Sequence, residues 1–278
     1  MLDRFEELAE GLNHPEGVAW DPVAGRVYAG GEGGELYAVS LDGDVERLAS
    51  TGGSMLGIAV DGAGRIYACD AGRGEIVRLD PATGILETYA RGPGGSDLDT
   101  PNVAAFGPDG VLYVTCSGED GRPDIVRVLP GGSVESWTTA VPAYPNGCLV
   151  TEDGAALVVV EAHAQRVVRV PILADGGAGS PGIVAELPDT DPDGVAADAD
   201  GALWVTLYRP DGLARIDPDG TVAIAVDDHL ATTLDAPTNI AWVGADLDRA
   251  VVANVGDRFL SIADLGVAGA PTHRPEVP

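Results

Sequence analysis

The chain repeats one pattern six times. Similar segments begin at Gly17 (GVAWD), Gly57 (GIAVD), Val103 (VAAFG), Gly147 (GCLVT), Gly194 (GVAAD) and Ile240 (IAWVG), with successive starts 40 to 47 residues apart. Each is followed by a second apolar run: RVYAG, RIYAC, VLYVT, ALVVV, ALWVT and RAVVA. A third run follows, as in ELYAV, EIVRL, DIVRV and RVVRV. Short runs rich in Val, Ile and aromatics, separated by turns such as Asp198–Gly201 and Asp217–Gly220, predict antiparallel strands joined by hairpins. One such unit cannot bury both of its faces, and a period of roughly 40 to 50 residues with four strands per unit marks propeller blades. The expectation is an all-β, six-bladed β-propeller of four-stranded blades, a single domain over residues 1–278. The last unit ends after its third strand, near Leu265. Its fourth strand is expected from the other end of the chain, where Phe5–Gly11 (FEELAEG) resembles the outer strands VERLAS, LETYAR and VESWTT. Residues 1–12 would then close the ring and remove a free sheet edge. Residues 266–278, ending THRPEVP, show no strand pattern and are expected to form a loose tail.

Charge narrows the range of partners. The chain carries 44 acidic and 16 basic residues, a net charge of −28, and its cations are all arginine. Without lysine there is no side-chain Schiff-base chemistry, and a strongly acidic surface disfavours nucleic acid and anionic membranes. Many of the acids are turn formers between strands. No apolar stretch approaches the ~20 residues of a membrane span. The opening MLDRFEELAEGL has neither a basic region nor an apolar run, so no signal peptide is expected. Cys69, Cys116 and Cys148 are odd in number and lie in or beside strands, which reads as buried thiols in a reducing, cytoplasmic setting.

Function is argued from register. In a four-stranded meander, the start of the first strand and the end of the second share one face. The residues just before the six aligned first strands are Glu16, Leu56, Asn102, Asn146, Asp193 and Asn239. Five of the six carry carboxylates or carboxamides, at the point where the innermost strands converge on the central channel. Such a set calls for a cation. Unpaired, the carboxylates would repel one another and pick up protons. Hard oxygen donors without clustered His or thiolate favour Ca²⁺, with Mg²⁺ and Mn²⁺ behind it and Zn²⁺ or Fe²⁺ less suited. The second-strand ends add Asp70, Glu161, His163 and Tyr208 as substrate contacts, with His163 a candidate proton carrier. Asp189, Asp191, Asp193 and Gly194 imitate the opening of an EF-hand loop, but their flanks are strands and that reading fails.

The phrases HPEGVAW (from His14), TPNVAAF (from Thr100), YPNG (from Tyr144), DPDGVAAD (from Asp191) and APTNIAW (from Ala236) resemble the senescence marker protein/gluconolactonase family, also called regucalcin-like. The resemblance spans nearly the whole chain. It implies a six-bladed propeller with one divalent cation, acting as a lactonase. Glu16, Asn146 and Asp193 would be metal ligands, Asn102 a fourth ligand or a substrate contact, and Asp193 also the general base. Sugar-lactone members often carry an Arg two residues before the Asn and an Asp directly after it. Thr100 and Val103 occupy those positions here, which points to a less polar lactone or ester. The expected function is therefore a metal-dependent hydrolase of a small-molecule lactone or ester, monomeric or a small homo-oligomer. A metal-dependent cyclase, lyase or isomerase on the same site, or a non-catalytic binding propeller, are the alternatives.

Overall fold

The structure is a computed structural model that describes residues 1–118 and 125–278; Asp124 of the expected DIVRV strand lies outside them. Six four-stranded antiparallel sheets make up the fold, each a meander from channel to rim. Blade 1 runs Val18–Asp21, Arg26–Gly30, Glu35–Val39 and Val45–Ser50; blade 2 runs Met55–Val60, Ile66–Asp70, Glu75–Asp80 and Ile85–Arg91. Blade 3 is Pro101–Phe106, Leu112–Cys116, Ile125–Val128 and Val134–Thr138; blade 4 is Pro145–Val150, Ala156–Glu161, Arg166–Pro171 and Gly182–Glu186. Blade 5 comprises Asp191–Ala197, Leu203–Arg209, Gly212–Ile216 and Val222–Asp227. Blade 6 has Pro237–Val243, Arg249–Asn254 and Phe259–Ala263, and its outer strand is Phe5–Glu10. Among the described residues the helical segments are short 3-10 turns, and no helix is long and apolar enough to cross a membrane.

Burial follows position in the blade. The second strands Ile66–Asp70 and Ala156–Glu161 are buried throughout, because neighbouring blades cover both of their faces. The outer strand Ile85–Arg91 is mostly exposed and carries its charges there. The cores lie between blades rather than within one. Leu8, Val27 and Val39 meet Val251 and Ile262 across the closure, while Phe5 joins Trp204 and Trp242 in the next core. The first strand of the chain thus pairs with Phe259–Ala263 and feeds two inter-blade cores.

The tail corrects an expectation. Residues 266–278 are not loose; they cross the face of the propeller that carries the turns between first and second strands. Ala199 N–H donates to the Ala268 carbonyl, Ala270 N–H to that of Ala197, and Gly62 N–H to that of Pro275, at 2.8 to 2.9 Å. His273 Nε2 meets the Thr151 carbonyl at 2.9 Å, and Arg274 pairs with buried Asp21 at 2.7 Å. Arg65 holds the Val277 carbonyl, and the Val277 side chain enters the core beside Tyr67 and Phe106. The tail therefore ties all six blades together, blade 6 through the Gly269 N–H, which donates to the Leu247 carbonyl at 2.8 Å. Truncation after Leu265 would strand the Asp21 carboxylate in a buried site without its cation, a loss of about 3 kcal/mol or more. We expect the melting temperature to fall by roughly 5–10 °C; unchanged melting would show that the tail adds nothing.

Candidate functional site

At the channel mouth the inner strands depart from regular pairing. Pro101 faces Cys116 but Ala104 faces Val114; Pro145 faces Glu161 but Cys148 faces Val159; Pro192 faces Leu207 but Val195 faces Val205. Each is a bulge that sets one extra inner-strand residue against its partner, which breaks the two-residue alternation and re-aims a side chain. Asn102, Asn146 and Asp193 sit in these bulges. A proline precedes each of them, and proline has no N–H to lose from the ladder.

Close approach between blades dictates the next residue. A Cβ on Gly57 would lie 2.6 Å from the Asn102 carbonyl oxygen, and one on Gly194 2.5 Å from that of Thr238. Gly17 stands in the same way against Leu56, and Gly147 against Asp193. This succession identifies the mouth positions as Glu16, Leu56, Asn102, Asn146, Asp193 and Thr238, and the Thr238 hydroxyl completes the ring by donating to the Glu16 carbonyl at 2.7 Å. Asn239, expected as the sixth member, belongs instead to the channel on the tail side. Its carboxamide oxygen accepts from the Ile240 N–H at 3.0 Å. The proline would have revealed this, because in PEG, PNV, PNG, PDG and PTN the residue after proline is the mouth residue.

Two cavities divide the channel. The larger, about 970 Å³, lies on the tail side, where the wall includes Trp20, Phe106 and Trp242; the acids at its rim, such as Asp153 and Asp198, accept turn N–H groups. The smaller, about 550 Å³, gathers the acids and amides of the mouth. It is lined by Glu16, Asn102, Asn146 and Asp193, together with His14, Glu32, Tyr144, His163, Asp191 and Tyr208. Size does not choose between them; the donor groups do.

Asn102, Asn146 and Asp193 are each at least nine-tenths buried. Burial pushes the Glu16 carboxyl up to about 7, and the charge of Glu32 adds to the rise. Asp193 is raised well above the usual carboxylate range, first by burial and then by Glu16, while a hydrogen bond from Asn146 pulls the other way. Among the described residues, Asn146 Oδ1 is buried without a hydrogen-bond partner. Asn102 donates through Nδ2 to Ser117 Oγ at 2.8 Å, and Ser117 donates to the Pro145 carbonyl at 2.7 Å, which leaves the Asn102 oxygen free to act. Thr115 and Thr206 brace the wall by donating to the carbonyls of Asn146 and Thr238 at 2.7 and 2.9 Å.

The remaining expected contacts divide. His163 and Tyr208 line the cavity, and the His163 ring lies 4.6 Å from that of Tyr144. Asp70 and Glu161 do not line it. Asp70 accepts from Thr51 Oγ1 at 2.6 Å and Ser54 N at 3.1 Å; Glu161 pairs with Arg166 at 2.5 Å and accepts from Ala143 N at 3.2 Å. They brace the loops that carry Met55 and Tyr144, a supporting role. Glu32, at a second-strand end on the expected face, also lines it, and Tyr144, Asp191 and Thr238 join beyond the expected set.

The donors fit a hard cation. Among the described residues no three His, Cys, Asp or Glu side chains cluster as metal ligands. The set is instead two carboxylates with two carboxamides. An unsatisfied buried amide oxygen beside two acids that crowd each other is what oxygen coordination of a divalent cation resolves.

Fold and site together define a six-bladed propeller whose channel mouth is built from acids and amides. A sequence profile of the SMP-30/Gluconolactonase/LRE-like region family matches residues 7–255, and the chain belongs to that family. Solved structures share the fold, among them these two. A gluconolactonase from Xanthomonas campestris has a TM-score of 0.79 and 22% identity over 96% of this chain and 89% of its own. A calcium-binding protein, regucalcin, from Agrobacterium tumefaciens has a TM-score of 0.78 and 20% identity, covering 98% of this chain and 96% of its own. Virginiamycin B lyase from Nocardia farcinica is 28% identical over 184 residues, which span 64% of this chain and 57% of that protein.

Proposed function

We propose that the chain is a divalent-metal-dependent hydrolase of the lactonase or esterase type. The observation that carries this reading is buried Asp193 beside half-buried Glu16 and the unpartnered Asn146 Oδ1, all facing one cavity. Glu16, Asn146 and Asp193 would hold the cation, with Asn102 as fourth donor or substrate contact. When bound, a hard cation such as Ca²⁺ supplies positive charge that polarises a carbonyl and offsets the charge developing on its oxygen.

The chain's own residues do the rest. Asp193 takes a proton from water as that water adds to the substrate carbonyl, and returns it to the departing ring oxygen. His163, on the cavity wall, exchanges protons with solvent. Family membership supports a lactone, as do the structural likenesses to a gluconolactonase and to regucalcin. Thr100 and Val103, expected to mark a less polar substrate, do not line this cavity; Val103 lines the tail-side one.

The test is a screen of lactones, esters and phosphotriesters with protein stripped by chelator and reloaded with Ca²⁺, Mg²⁺ or Mn²⁺. Hydrolysis should appear only with metal. Activity that survives chelation, or none in any metal, would sink the proposal. The likeness to virginiamycin B lyase favours a second reading, in which Asp193 removes a carbon-bound proton. Reaction in ¹⁸O-labelled water separates the two: hydrolysis labels the new carboxylate, elimination leaves an unlabelled alkene.

A further inference from the structure

We propose that the site selects substrates bearing a protonated amine next to the lactone or ester. The reaction rests on the hydrolase reading above; the charge preference stands apart from it. Four carboxylates line the cavity among the described residues, Glu16, Glu32, Asp191 and Asp193, and no arginine joins them. A divalent cation held by Glu16 and Asp193 cancels two of those charges. Glu32 and Asp191 remain, both exposed, the Glu32 side chain at 70%. The basic groups beside them are few: His14 near Glu32, and Arg209 directly across the strand pair from Asp191. The His14 ring lies 3.4 Å from Glu32. Arg209 lies over the Tyr208 ring at 4.8 Å, and its own charge is matched by Asp211 at 2.7 Å.

The wall of the same cavity carries aromatic rings. Tyr144 and His163 stack at 4.6 Å, and Tyr208 is 38% exposed. Carboxylates beside aromatic faces attract an ammonium group through charge and through the ring quadrupole. A carboxylated substrate is repelled by Glu32 and Asp191.

The test uses Ca²⁺-loaded protein and three lactams that keep the ring but resist opening: α-amino-γ-butyrolactam, γ-butyrolactam and pyroglutamate. By calorimetry the amino lactam should bind about tenfold more tightly than the neutral one, as one favourable charge contact implies, and pyroglutamate should not bind measurably. The preference should shrink as salt rises from about 50 to about 500 mM. In the double variant Glu32→Gln, Asp191→Asn it should fall to within about twofold. Equal binding of the three lactams, tighter binding of pyroglutamate, or no binding of the amino lactam overturns the proposal. The matching lactones are assayed in parallel. Amine-selective lactam binding with no lactone opened removes the hydrolase reading and keeps the charge preference. Lactones opened without regard to charge, with lactams bound alike, does the reverse.

Discussion

Replacing Asp193 by Asn is expected to lower turnover by roughly 10² to 10⁴, the range for loss of a general base, and adding metal should not restore it. The substitution keeps the shape and one oxygen donor but removes the charge and the proton acceptor. The side chain is only 8% exposed, so bulk water cannot readily take over the proton. Weaker cation binding is a matter of mass action, and a higher concentration offsets it. A missing base has no such remedy. Turnover should therefore reach a low plateau as Ca²⁺ is titrated. Asn146→Asp gives the contrast, since it keeps an oxygen donor and adds charge, and it should cost less. Full turnover of Asp193→Asn at saturating metal would reduce Asp193 to a ligand.

The blades were legible because every blade solves the same packing problem. Apolar runs must sit between two neighbours, so the pattern recurs at each step of the ring. The closing strand was legible for a related reason: Phe5 and Leu8 point into the cores while Glu6 and Glu7 stay in water, as on the other outer strands. Where the bulge keeps its offset from the apolar run, aligning those runs picks a residue that lines the smaller cavity, as at Asn102, Asn146 and Asp193. In blade 6 it falls elsewhere, between Pro237 and Asn239, so aligning apolar residues slid the register and chose Asn239 over Thr238. Asp70 and Glu161 were placed on the right face of their strands. Local hydrogen bonds then turned their carboxylates towards loop N–H groups, which strand alternation does not encode. The tail was illegible because Arg274 with Asp21 and Val277 with Phe106 are contacts between distant parts of the chain, with no periodic trace.

The crowded carboxylates also make a prediction about stability. Stripped of divalent cations, the protein should become less stable as pH rises from the ordinary Glu value of 4.5 towards the Glu16 value of about 7. Across that window the folded state holds a proton that the unfolded chain has released, so raising the pH favours unfolding. For Glu16 alone the loss is on the order of 3 kcal/mol, and raised Asp193 acts in the same direction. Below the window both states are protonated and the penalty vanishes. Saturating Ca²⁺ should reverse the trend, because it binds the ionised site of the folded state only. At one hundred times its dissociation constant it contributes about 2.7 kcal/mol, and its affinity rises with pH as the protons leave. Melting curves with chelator and with Ca²⁺ should therefore diverge between about pH 5 and about pH 8. The surface charge of −28 also weakens the fold at high pH, so the variant Glu16→Gln is the necessary control. It should flatten the metal-free slope and lose most of the Ca²⁺ increment. Equal slopes in variant and parent would assign the pH dependence to the surface, and melting insensitive to Ca²⁺ at pH near 8 would remove the cation from the site.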